Sequence, residues 1–319
     1  MICMAWSGSP RQLTKLAQAA VILGCGCALL GMVQILTDGG ALPYPENPMP
    51  GVAFGTFANR NSTGLFLDCC LILLAVLPWR GLSFAQTGWR IGAAAILAVA
   101  VVLTQSRTSL LLLCIPAGLA MVRFIVWLRH EDGTRRFAAR FGKAALIGAG
   151  VLACGAAVAT AMVAARADRV ESVLARFGQD DARRPAIWED AAFSARRFWP
   201  VGAGMGTFDE VFQIDESLEY LSPRTAGRAH NDFLEIAIEA GLPGLALVAG
   251  WIVWCLVAAA RARGSPHRWL AWGATGMLAA IASQSLLDYP LRNQTLLCMA
   301  ALAIAMLAAI PASLKGNAR

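Results

Sequence analysis

The chain has 319 residues, 57% of them hydrophobic and only 15% charged, with a mean hydropathy of +0.57 and a formal net charge of +7. That composition excludes an ordinary soluble domain, in which about a quarter of residues are charged, and specifies a polytopic membrane protein. The positive surplus falls largely in short loops between apolar runs, with no basic helix interleaved with aromatics, so a nucleic-acid partner is excluded too.

Crossing a hydrocarbon core of roughly 30 Å takes about 20 apolar residues. Runs of that kind lie near 16–36, 62–79, 90–105, 108–128, 144–165, 233–258, 269–287 and 294–313, predicting an all-α fold of about eight transmembrane helices. The first run lacks a small-residue cleavage site before Thr37-Asp38, so it is expected to stay in the membrane. Arg11 and Lys15, Arg80 and Arg90, the cluster from Arg129 to Lys143, Arg261 to Arg268, and Lys315 with Arg319 occupy every second loop or terminus. The positive-inside bias makes these cytoplasmic, both termini included, and turns 37–61, 105–108, 166–232 and 288–293 outward. The expected organisation is five helices in 1–165, one large outward-facing helical loop in 166–232 and three helices in 233–319. Nine cysteines, all in or beside apolar stretches, read as small buried hydrophobes.

Polar clusters interrupt this pattern on the outer side. At 55–64 (GTFANRNSTG), Asn59 and Asn61 are open to two readings, helix capping and substrate contact. Asp68 is a lone acid within the second run. At 103–109 (LTQSRTS) the hinge is too short for a solvated loop, which pins Arg107 at the outer membrane face; its planar guanidinium suits a diphosphate. In the outer segment, 169–177 and 185–198 carry helical apolar spacing, and Pro185 at a first helical position sets Arg183 and Arg184 at a helix entry. Asp180 and Asp181 read as solvated carboxylates, without the further ligands a metal needs. The glycines of WPVGAGMGTF (199–208) fit a structural turn or a ligand contact. Last comes AHNDFLEIAIEAGLPG (229–244), a titratable cluster at the mouth of an apolar helix. His130 and His267 lie in basic loops, whereas His230 alone closes the polar segment, which makes it the first catalytic candidate.

Taken together, FANRNSTG at 57–64, SRT at 106–108, RPAIWEDA at 184–191, WPVGAGMGTF at 199–208 and AHNDFLEIAIEAGLPGL at 229–245 resemble the O-antigen ligase and polymerase superfamily of bacterial envelope glycosyltransferases. The resemblance runs from about residue 50 onward. It implies a GT-C-like membrane fold and metal-independent, cofactor-free transfer of a glycan from undecaprenyl diphosphate, at the periplasmic face of the inner membrane. The acceptor is a hydroxyl of lipid A core, of a growing glycan or of a protein, and membrane lipid surrounds the site. By motif, Arg107 and Arg184 hold the lipid diphosphate and His230 serves the acceptor; Asn59, Asn61, Asn231 and Glu235 are expected substrate contacts, and Arg224 and Arg228 either add to the cationic pocket or are solvated. Family members usually carry more N-terminal helices, so a short member is expected.

The chemistry of the residue types agrees. Histidine ordinarily titrates near pH 6.5, so a neutral imidazole can take a hydroxyl proton at physiological pH. Arginines can stabilise charge on a departing diphosphate. A lipid-linked glycan transporter is the competing class; it calls for broken midplane helices and inverted repeats, whereas the polar residues here gather at one face.

Overall fold

The computed structural model describes residues 9–37, 51–78, 84–128, 184–219 and 227–316. The elements among them are helices: α1 (Pro10–Leu36), α2 (Arg60–Val76), α3 (Phe84–Leu103), α4 (Arg107–Leu112), α5 (Cys114–Leu128), α6 (184–197), α7 (Phe208–Asp215), α8 (Asp232–Arg261), α9 (Arg268–Ser285) and α10 (Gln294–Gly316). Short 3-10 turns at Ala262–Gly264 and Pro290–Arg292 join the last three. The all-α class therefore holds. Among the described residues four stretches are long and apolar enough to cross a membrane: Pro10–Leu36, Gln86–Leu103, Arg107–Val126 and Asp232–Gly264. With 17 residues, α2 spans about 26 Å at 1.5 Å per residue, just short of the core thickness. The expected span at 144–165, the helical pattern at 169–177, Asp180, Asp181 and Arg224 lie outside the described residues.

Local sequence sets the helix starts. Ser9 and Gln12 form a reciprocal capping box before Pro10, and Asn59, Ser106 and Asn231 each accept from backbone N–H groups of the turn they open. The predicted run at 108–128 is two helices, α4 and α5, parted at Leu113.

The chain forms two compact units. The first comprises Met1–Arg166, Ala258–Ala280 and Cys298–Arg319, the second Ala167–Val257 and Ile281–Leu297. Most of α8, through Val257, and the α9–α10 connection thus fall in the second unit with α6 and α7. In the first unit α2 is apolar and buried on nearly every side, with α1, α3 and α5 packed on it. At its C-terminal end Arg123 donates to the carbonyl of Ala75 at 2.9 Å and Arg90 to that of Pro78 at 2.7 Å, cations where the helix dipole is negative. Cys27, Cys69, Cys70 and Cys255 are buried as expected. Cys114 and Cys298 depart from that reading: both are exposed on apolar helices, where lipid replaces a protein core. Asp68 is fully buried, and neither carboxylate oxygen has a hydrogen-bond partner among the described residues.

In the second unit Ala191, Phe208, Val211, Phe212, Ala229 and Ile238 make a small core joining α6, α7 and the start of α8. The rings of Phe208 and Phe212 stack at 5.3 Å. Pro243 has no N–H for the carbonyl of residue 239 and disfavours helix before it. α8 accordingly breaks at Gly241, whose φ of 56° and ψ of −145° are not helical. The glycine-rich loop after α6 fills the break: Ala203 N–H donates to Ile238 O at 2.8 Å, Gly204 N–H to Glu239 O at 2.9 Å, and Leu242 N–H to Pro200 O at 2.8 Å. Of the two readings open for WPVGAGMGTF, the geometry gives Gly202 a structural part, since a Cβ there would lie 2.6 Å from Glu239 O.

Candidate functional site

In the first unit, two of the polar motifs meet. Asn59 spends its side-chain oxygen on Asn61 N–H at 2.8 Å, the capping alternative for that residue. Asn61 Oδ1 accepts from Ser106 Oγ at 2.9 Å, and Ser106 in turn caps α4, whose first residue is Arg107. FANRNSTG and SRT are thus hydrogen-bonded to each other across 45 residues, with the exposed Arg107 next to the junction. Close approach is possible because Gly64 has no side chain: a Cβ there would stand 2.2 Å from Ser109 Oγ. The preceding loop is held by Gln34, whose amide donates to Gly55 O and accepts from Gly55 N, each at 2.8 Å.

In the second unit, the turn carrying His230 is fixed from both sides. Before it, Ala229 N–H donates to Glu235 Oε1 at 3.1 Å, and Ala229 O accepts from the Trp188 indole of α6 at 2.9 Å. After it, Asn231 Oδ1 accepts from Phe233 and Leu234 N–H at 3.0 and 3.1 Å and starts α8. His230 is held between them at a φ of +50°. A non-glycine residue in that left-handed region is strained by about 1–2 kcal/mol, and such strain persists only where surroundings over-determine it. Arg184 lies one turn before Trp188 on the same face of α6, the face that meets this turn.

The second half of the constellation comes from residues 285–292, between α9 and α10. Asp232 Oδ2 accepts from Ser285 Oγ at 2.9 Å and from Leu291 N–H at 3.3 Å, tying this connection to the start of α8. Asp288 then faces the imidazole: its Oδ1 is 3.4 Å from His230 Nδ1, without hydrogen-bond alignment. Tyr289 packs against the same ring at 5.1 Å, its plane tilted by 56°. Arg292 reaches Glu235 Oε2 at 2.9 Å and Glu239 Oε2 at 3.2 Å, while Arg228 meets Glu235 at 3.4 Å. Burial pulls the Arg292 guanidinium down, but its hydrogen bond to Glu239 and the charges of both glutamates outweigh that and hold it above the usual arginine value.

Glu235 is fully buried and engaged by Arg228, Arg292 and a backbone amide, which makes it a support for the His230 turn. Asn231 is likewise a cap. His230 remains about a third exposed, and Arg228 presents 39% of its side chain. Sequence reasoning missed Asp288, Tyr289, Arg292 and Glu239. The rule that singled out His230, ionisable groups at a membrane boundary, applies equally to the 288–293 segment, which the charge pattern is expected to turn outward, and to Glu239. Among the described residues no three His, Cys, Asp or Glu side chains converge as a metal-ligand set.

A family model described as O-antigen ligase matches residues 92–249, about half of the chain, including Arg107, Arg184 and His230. The chain is also 28% identical over 219 residues to the exopolysaccharide production protein ExoQ of Rhizobium meliloti (strain 1021), an alignment covering 64% of this chain and 46% of that protein. The chain therefore spans less than half the length of that curated relative.

Proposed function

The chain belongs to the O-antigen ligase/polymerase superfamily, and from that premise we propose that it transfers a glycan from undecaprenyl diphosphate to an acceptor hydroxyl at the periplasmic face of the bacterial inner membrane. His230 is the base. The observation that carries this reading is the strained, doubly fixed turn that sets the imidazole against Asp288 and Tyr289. With Nδ1 toward Asp288, a proton is favoured on that nitrogen, and Nε2 is left to receive the acceptor's proton. Asp288 offsets the positive charge that the ring then acquires. The acceptor oxygen attacks the sugar carbon, the bond to the diphosphate breaks, and the lipid diphosphate leaves with the electron pair. Arg184 and Arg107 each serve as a guanidinium contact for that diphosphate, and residues 166–232 are on the periplasmic side.

General-base help is worth roughly 10²- to 10⁴-fold. His230→Ala should therefore fold and bind donor while transfer from purified lipid-linked donor falls by about that factor. Asp288→Asn, which keeps the shape and removes the charge, should lower transfer while leaving donor binding unchanged. Near-normal transfer by well-folded His230→Ala would remove it as the base.

The name of the Rhizobium meliloti relative, an exopolysaccharide production protein, favours a second reading in which the acceptor is a growing glycan and the reaction is polymerisation. The chemistry at His230 is the same in both, and supplying lipid A core or lipid-linked repeat units as acceptor separates them.

A further inference from the structure

The segment from Trp199 to Gly206 reads Trp-Pro-Val-Gly-Ala-Gly-Met-Gly, eight residues without a charged or hydrogen-bonding side chain except the indole. It is nonetheless on the surface: Trp199 is 50% exposed, Val201 73% and Met205 72%. In water such a stretch is unfavourable, and its sequence boundaries are sharp, with Arg196 and Arg197 before it and Asp209 and Glu210 after it.

Its height is fixed by α8. From Leu242 to Arg261 the helix runs 20 residues, about 30 Å at 1.5 Å per residue, which matches one hydrocarbon core. Along it Leu242, Leu247, Trp251, Ile252, Val253 and Leu256 are exposed apolar side chains, the lipid-facing surface of a span. Leu242 therefore marks the outer edge of that core, and its N–H is hydrogen-bonded to Pro200 O, in the middle of the loop. The loop's backbone also suits an apolar setting, where unbonded amides are costly. Trp199, Gly202, Ala203 and Gly204 all donate to carbonyls, of Arg196, Phe198, Ile238 and Glu239 in turn.

We propose that this loop is a membrane-interface anchor: Trp199, Val201 and Met205 insert among the phospholipid chains of the outer leaflet beside Leu242, with the Trp199 indole at the headgroup boundary that tryptophan favours. The flanking, exposed Arg196 lies where a guanidinium group can meet lipid phosphates. The anchor sets the glycine loop, and with it the start of α8, at a defined depth. It requires α8 to span and does not depend on the transferase reading.

The test is photo-crosslinking in proteoliposomes containing radiolabelled phospholipid. p-Benzoylphenylalanine is incorporated singly at Val201 and Met205, with Val253 as the lipid-facing reference and Glu210 as the aqueous one. Labelled adducts at Val201 and Met205 approaching the yield at Val253, and at least tenfold above Glu210, are expected. Adducts at both sites no more abundant than at Glu210 would overturn the anchor. Absence at Val253 as well would remove the span that fixes the height and overturn it by that route. These side chains are exposed, so folding is not at stake, and a normally folded yield on the same preparation confirms it.

Discussion

The glycines at the α8 break make a graded prediction about what the glycine-rich loop is for. Gly202 has φ +91°, and a Cβ there would meet Glu239 O at 2.6 Å and Ala240 N at 2.7 Å, all backbone that cannot swing aside. Gly202→Ala must push the loop off α8 and forfeit the bonds from Ala203 to Ile238 and from Gly204 to Glu239. At about 1 kcal/mol each, plus about 1–2 kcal/mol for the left-handed backbone, the cost is roughly 3–4 kcal/mol. Gly241→Ala belongs in the same class, because its Cβ would stand 2.2 Å from Pro200 O. Gly206, at φ +85°, has nothing within 4 Å of the place its Cβ would take, so Gly206→Ala should cost only the backbone part, about 1–2 kcal/mol. Against a total stability of about 5–15 kcal/mol, the first two should lose most of their folded yield and the third should keep it. The assay is folded fraction after graded heating, read by size-exclusion chromatography, with transfer measured per folded molecule. If Gly202→Ala survived heating like the wild type, or if Gly206→Ala proved as damaging, the docking account would be wrong. A well-folded Gly206→Ala that no longer bound donor would show that the loop touches ligand.

Two further outcomes follow from the same unit. His230→Gly and His230→Ala lose the same contacts to Asp288 and Tyr289, but only alanine keeps the left-handed strain, so the glycine variant should be the more stable of the two by up to about 1 kcal/mol; a more stable alanine variant would show that φ +50° is not strained. Arg292→Gln leaves two buried glutamates short of a cation, a loss of about 3–5 kcal/mol for a buried pair, reduced to about 2–3 because a third of the guanidinium side is in solvent. Arg197→Gln, at a half-exposed contact with Asp215, should cost under about 1 kcal/mol, and equal losses in heat resistance for the two would refute that ranking.

Helices, their apolar faces and their caps were readable because each is written in consecutive residues. The 3.6-residue spacing around 185–198 anticipates α6, and the polar residue before each apolar run anticipates the cap. The pairing of Asn61 with Ser106 and of His230 with Asp288 could not be read that way, since each joins segments 45 and 58 residues apart and spacing says nothing about which distant residue arrives. The same limit applies to Glu235. A carboxylate at a membrane boundary is conspicuous in sequence, but whether it faces outward or inward depends on Arg228 and Arg292, and the second of these comes from another helix connection. The run at 233–258 reads as one helix, and its break at Gly241, like the loop after α6 that supplies the missing bonds, is seen only in the structure.

That break also bears on how a site for lipid-linked donors can be built. Were α8 straight and upright, His230 would stand about 18 Å above Leu242, twelve residues on at 1.5 Å each. The headgroup layer that carries a lipid diphosphate is only about 5–8 Å deep on each side of the core. A continuous helix would therefore lift its first polar turns well clear of the donor. The break at Gly241 releases the orientation of Asp232–Ala240 from that of the span below, while the glycine loop holds the freed end by three backbone hydrogen bonds. Glu235 and Glu239, buried on the freed segment, then take Arg292, and Arg228 joins Glu235, so that cationic side chains stand beside the His230 turn. Severing the loop from the break, as Gly202→Ala should, removes the backbone bonds from the loop that restrain this segment at the hinge; among molecules that remain folded, the expected deficit is in transfer at saturating donor, because the imidazole is misplaced even when the lipid is bound.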